Sequence, residues 1–309
     1  MKKHLPFILL FFLSFNSLFY FCYSQEEKEL LKAKVKKLKK VELAICCIFR
    51  NEARFLKEWI EFHRLMGVEH FYLYNNLSTD NYLSILEPYI KKKILTLTEW
   101  PYESLNGNDW NDIQCNAYQD ALAKAKNANV KWLAMLDCDE YLFPVKEKNL
   151  VDFLKNYKNF GGLVVNWQFF GTSFTPIIPN NKTLIETLRF KAPKDYQENR
   201  YVKTIFQPKA VIEIKDPHIP KFKPNCYAVN SKKMRIRNSS TPEVVIDDIR
   251  INHYWSRDEE FFYNVKCARR QKWQEGFDGQ LARLASINQV EDFEILKFLP
   301  QLKVKLGFP

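Results

Sequence analysis

The feature that most restricts the fold of this chain is an alternation, between Val41 and Leu136, of short apolar runs with segments of helical period. Val41–Phe49 is continuously apolar over the length of a buried strand and ends at Arg50-Asn51-Glu52. Phe55, Trp59, Phe62 and Met66 then recur at helical spacing, Gly67 supplies a stop, and Val68–Tyr74 reads as a second strand ending at Asn75-Asn76. Ser78 or Thr79 is expected to N-cap a helix through Tyr89, followed by a third strand over Ile94–Leu97. Asn111–Asn127, with Ile113, Ala117, Ala121 and Leu122 inward, reads as the next crossover helix and feeds the run Trp132–Leu136. This order predicts an α/β fold with a mostly parallel central sheet and helices on both faces. In such sheets ligands bind outside the carboxyl ends of the strands, where the strand order switches.

Beyond Pro144 the alternation breaks and a mixed C-terminal half is expected. Gly162–Phe170 is strand-like, residues 171–200 read as loop, and Val202–Phe206 with Ala210–Ile214 could form a pair of short strands. A longer strand is expected over Val244–Tyr254, with helix from Asp258 through Phe261, Phe262, Val265 and Trp273. A single domain over 41–309 follows, in two halves, 41–145 and 146–309.

The formal charge of +11 needs to be located before it is interpreted. Residues 1–40 hold nine Lys against three Glu, so six of the eleven charges lie there. Met1–His4 followed by the apolar run Leu5–Tyr23 has the basic and hydrophobic regions of an export signal, so residues 1–24 read as a signal peptide or a signal anchor. Residues 25–40 read as a charged stem. A membrane-associated or exported protein is expected, and nucleic acid is not, because the folded part lacks a repeat of basic and aromatic residues. The six cysteines after Cys22 include no C-x-x-C pair and have no His-rich cluster beside them, which argues against a zinc site.

The strand Trp132–Leu136 ends in Asp137-Cys138-Asp139-Glu140. On an extended backbone Asp137 and Asp139 point to one side, and two adjacent carboxylates call for a cation. A hard divalent ion, Mn²⁺ or Mg²⁺, fits oxygen ligands of this kind, although the same pattern also serves as an acidic loop that caps a following helix. Only eight Gly occur in the whole chain, so a glycine-rich phosphate loop is implausible. An ion on Asp137 and Asp139 would then hold the phosphates and neutralise a departing diphosphate, which is the donor side of glycosyl transfer.

At these residues the chain resembles GT-A glycosyltransferases, in particular glycosyltransferase family 92 and its family-2-like relatives. The matching pieces are Arg50-Asn51-Glu52 with Glu58-Trp59-Ile60 and His63, Gly67–Asn76 with Ser78 and Asp80, Gln114, the D-C-D-E-Y block, Trp167 with Phe170-Gly171, and His253-Tyr254. The resemblance implies a metal-dependent, inverting enzyme that moves a sugar from a nucleotide-diphosphate donor to a glycan or other hydroxyl acceptor. It implies Asp137, Asp139 and His253 as metal ligands and Glu140 as a group that orients the site. Arg50, Asn51, Glu52, Asn76, Asp80 and Gln114 would serve the nucleotide, and Trp167 and Phe170 the acceptor sugar. The family usually has Asp where this chain has Asn75. His253 could instead simply pack between Tyr254 and Trp255, and Trp167 and Phe170 could be core. Inversion needs a general base, for which Asp216, Asp247 and Asp248 are the candidates. Two other classes compete: a haloacid-dehalogenase-like phosphatase, with Asp247-Asp248 as its later acidic pair, and a non-catalytic membrane-tethered sugar-binding protein.

Overall fold

The computed structural model describes residues 40–272 and 276–308. The leader, the stem up to Lys39, and Trp273 lie outside the described residues. Strand β1 (Leu43–Phe49) is buried at every position, as its unbroken apolar run requires. It leads into helix α1 (Ala53–Leu65), which turns Phe55, Trp59 and Phe62 into the core. Gly67 ends this helix with φ +92°, while its N–H donates to the Arg64 carbonyl and that of Val68 to His63. A Cβ at Gly67 would come within 2.8 Å of Val151 Cγ2, so glycine is required both for its conformation and for space.

Strand β2 (His70–Asn75), helix α2 (Tyr82–Lys91), strand β3 (Leu95–Glu99), helix α3 (Gly107–Asn127) and strand β4 (Trp132–Met135) complete the alternation. The expected caps at Ser78 and Thr79 do not form. Ser78 Oγ accepts the Asn51 N–H and Thr79 N–H donates to Asn51 Oδ1, so both residues tie the ends of β1 and β2 together and α2 starts after Asn81. Helix α3 begins four residues before the expected Asn111, because the Asn106 side chain accepts the N–H groups of Asn108 and Asp109.

Strands β5 (Glu140–Pro144), β6 (Gly162–Phe169), β7 (Phe190–Lys191), β8 (Val202–Phe206), β9 (Val211–Glu213), β10 (Lys221–Phe222), β11 (Ala228–Val229), β12 (Arg235–Ile236), β13 (Ile249–His253) and β14 (Val290–Glu291) follow. The main sheet has the order β12-β11-β6-β8-β4-β1-β2-β3, with β13 pairing to both β5 and β6. Strands β4, β1, β2 and β3 are mutually parallel, while β8 is antiparallel to both β4 and β6. The expected β8–β9 pair does not form, because β9 pairs with β10 and β8 is taken into the centre of the main sheet. The halves 41–145 and 146–309 therefore share one sheet. The chain steps outward from β1 to β3 and then returns to the other side of β1, so the order switches between β1 and β4, at whose carboxyl ends Glu52 and Asp137 stand. Among the described residues no helix is long and apolar enough to cross a membrane.

Candidate functional site

A cleft opens at that switch point, lined by Arg50 and Glu52 after β1, Gln114 of α3, Asp137–Asp139 after β4, Lys203 of β8 and His253 of β13. The acidic segment is not extended as expected. Glu140 N–H donates to the Asp137 carbonyl, so the chain turns at Cys138 and the two carboxylates diverge to separate partners. Asp137 Oδ1 accepts from Gln114 Nε2 at 2.6 Å and Tyr118 OH at 3.1 Å, and its Oδ2 from Lys203 Nζ at 2.9 Å. Burial works to raise the Asp137 carboxyl, but Lys203 outweighs it and holds the group below the ordinary range.

Asp139 Oδ2 accepts from Lys266 Nζ at 2.6 Å, and its Oδ1 faces His253 Nε2 at 3.4 Å. Burial opposes ionisation here too, yet Lys266 and His253 keep the carboxyl well below its usual value. His253 is itself pushed toward the neutral form by burial, against the pull of Asp139, and its Nδ1 is buried without a hydrogen-bond partner. Glu140 is fully buried. Its Oε2 accepts the Asp137 N–H, its Oε1 has no hydrogen-bond partner, and burial drives its carboxyl far above the normal range.

One wall of the cleft is cationic. Lys266 belongs to a π-helix over Phe262–Cys267, and Arg269 and Arg270 follow on the next turn. Arg283 joins them, its guanidinium 4.4 Å from the centre of the Trp255 ring. Arg257, fully buried, donates to Glu52 Oε2 and to the Cys138 carbonyl, both at 2.8 Å, and so clamps the end of β1 to the acidic turn. The other wall is aromatic: the Trp167 and Phe169 rings each lie 4.5 Å from the His253 ring, and His218 lies 5.2 Å from Trp167.

Several expected site residues lie elsewhere. Asn76 is buried and its Nδ2 donates to the carbonyls of Trp100 and Tyr102, which holds a loop. Asp80 Oδ2 accepts the Ala53 N–H at the start of α1, and Asn51, at φ 55°, bonds to Thr79; both border a separate surface hollow. Phe170 is core, 4.7 Å from the Tyr254 ring, because strand alternation puts Phe169 with Trp167 on the cleft face. Asp247 and Asp248 precede β13, at the end opposite His253, and pair with Lys194 and Lys146. Neither reaches the cleft, which removes them both as general base and as a phosphatase's second acidic pair. Asp216 Oδ1 accepts the N–H groups of His218 and Ile219, so it shapes the turn that carries His218 and does not itself line the cleft.

Sequence reasoning missed the cations. Lys203 is a single charge inside the strand V-K-T-I-F, and Lys266, Arg269 and Arg270 recur at helical i, i+3, i+4 spacing. Either pattern could have pointed to them.

Comparison with known proteins finds relatives for part of the chain. A family 92 protein of Ricinus communis is 30% identical over 176 residues, covering 55% of this chain and 29% of that protein. One from Oryza sativa subsp. japonica is 29% identical over 160 residues, covering 50% and 26%. The chain thus spans under a third of the length of these relatives. Among solved structures, S. aureus TarS 1–349 in complex with UDP-GlcNAc is 16% identical with a TM-score of 0.33, over 86% of this chain and 80% of that one. The profile of glycosyltransferase family 92 matches residues 39–292, so this chain belongs to glycosyltransferase family 92.

Proposed function

We propose that this protein transfers a sugar, with inversion, from a nucleotide-diphosphate donor to a hydroxyl of a glycan or other acceptor. The observation that carries the reading is the pairing of Asp137 and Asp139, at the switch point of the parallel sheet, with a cationic wall from Lys266 to Arg283. A diphosphate placed there meets ammonium and guanidinium groups on one side and the acidic turn on the other. The nucleoside would lie toward Arg50, Glu52 and Gln114, and the sugars against Trp167 and Phe169.

The donor set fits Mn²⁺ or Mg²⁺. Asp139 Oδ1, the oxygen that Lys266 leaves open, and His253 Nε2 face each other at 3.4 Å, near the about 3 Å that separates adjacent ligands of one ion. Among the described residues no three His, Cys, Asp or Glu side chains form a group that could hold a metal ion by themselves, so the donor's phosphates would have to complete its coordination. Asp139 and His253 would hold the ion with Asp137 beside them, and when bound it supplies Lewis-acid neutralisation of the leaving diphosphate. Lys266 would then be free to pair with a phosphate oxygen, while Lys203 would stay on Asp137. We place the protein at a membrane or in the exported pathway on the strength of its hydrophobic leader, Leu5–Tyr23.

The test is a panel of nucleotide sugars with Mn²⁺, reading nucleoside diphosphate release with and without a chelator. Chelator-sensitive release is expected from at least one donor. Nucleotide binding without release from any donor would favour the sugar-binding reading instead.

A further inference from the structure

We propose that His218 is the general base that deprotonates the acceptor hydroxyl, an inference that rests on the transferase reading above. The carboxylates lining the cleft are each engaged by a cation: Glu52 by Arg257, Asp137 by Lys203 and Asp139 by Lys266. His253 is turned to Asp139. His218 differs from all of them. Its Nδ1 lies 2.8 Å from the Val202 carbonyl, which can only accept, so Nδ1 carries the hydrogen. In the neutral ring Nε2 is therefore the base, and it makes no hydrogen bond to a described residue.

Position supports the assignment. Strand β6 runs between β13 and β8, so Trp167 has His253 on one side, at 4.5 Å, and His218, bonded to Val202 of β8, on the other, at 5.2 Å. An acceptor sugar against that indole would have the donor's phosphate end on its His253 side and Nε2 of His218 on the other. Tyr201, with ring centre 5.5 Å from that of His218, and the turn built by Asp216 hold the imidazole in place. Burial, with Lys203 adding to it, holds the ring's pKa down to about 4, so the proton-accepting form is present at neutral pH. In the step, the hydroxyl proton passes to Nε2 and the hydroxyl oxygen bonds to the anomeric carbon. The bond from that carbon to the diphosphate oxygen breaks, and its electron pair leaves with the diphosphate.

The test uses the full chain and His218→Asn, whose amide nitrogen can keep the Nδ1 bond to Val202 while nothing replaces Nε2, with His218→Gln as a second variant. UDP and GDP, each with Mn²⁺, are titrated calorimetrically, and transfer is measured with the donor that the wild type turns over. Expected are nucleotide affinity within about twofold of wild type, a kcat lower by roughly 10²- to 10⁴-fold in both variants, and partial recovery of rate with added imidazole. Transfer within about threefold of wild type in either variant would overturn the proposal. So would loss of nucleotide binding in both, which would mark His218 as structural. A wild type that turns over no nucleotide sugar would instead sink the transferase reading, and the base with it.

Discussion

Asp137 and Asp139 are two residues apart and each faces a lysine, but Lys203 comes from a strand bonded on both sides, whereas Lys266 comes from a six-residue π-helix. Asp137 is further held by Gln114 and Tyr118, while the second oxygen of Asp139 faces His253. The lysines respond oppositely. Burial acts to lower both, but Asp137 and Glu140 lift Lys203 above the ordinary lysine value, and Asp139 does not offset burial for Lys266. One half of the motif is thus tied into the sheet, like a strut, and the other to a π-helix, and under the proposed function the second is the pair exchanged for a ligand. A π-helix is less regularly bonded than an α-helix and is often found at functional sites, which suits the exchangeable half.

The comparison breaks most sharply at Asp139. Asp139→Asn keeps size and shape but removes the charge that an ion or Lys266 requires, and donor turnover should fall by roughly 10²- to 10⁴-fold with folding retained. Equal Mn²⁺ and nucleotide affinity in wild type and variant, measured by calorimetry, would contradict the exchangeable half. Lys203→Met tests the strut. It should cost about 2–4 kcal/mol of stability in denaturant titration, on the low side for a broken buried pair because 30% of the Asp137 side chain stays exposed. A variant as stable as wild type would mean that Gln114 and Tyr118 suffice.

Lys266→Met should act on binding more than on folding. Mn²⁺ alone should bind about tenfold tighter, since Asp139 has lost its internal cation, while nucleoside diphosphate binds about tenfold weaker. Both affinities falling together would show that Lys266 is a second strut. Tyr118→Phe should have the smallest effect, about 1 kcal/mol of stability and a few-fold in turnover, because Lys203 and Gln114 still hold Asp137. A loss as large as that of Lys203→Met would place the hydroxyl, and not the ammonium, at the centre of the strut.

The parallel half was legible because each of its strands is a local apolar run and each helix carries its own period. In the other half Gly162–Phe169 and Val202–Phe206 were legible as strands, but the pairing and the two-residue strands were not, because they take their partners from distant parts of the chain. A single charge such as Lys203 shows nothing locally of the carboxylate it meets, and Asp137 and Asp139 were visible while their lysines were not. The reading of Phe170 failed by one position, which on a strand is enough to exchange cleft for core. Asp216 does not line the cleft because its carboxylate is engaged in an Asx turn, whereas His218, two residues on, does line it.

The π-helix also makes the cationic wall sensitive to chain length as well as to side-chain identity. Its approach is anchored by Asp258, which accepts the Phe261 N–H and the Ile178 N–H and pairs with Arg54. Deleting one residue between that anchor and Lys266, with the π-turn kept, would swing every later side chain by about 100°. Lys266, Arg269 and Arg270 would then leave the cleft together without any of them being substituted. Among natural variants of this chain, a one-residue gap in that segment would take more of the cationic wall from the cleft than the loss of a single cation.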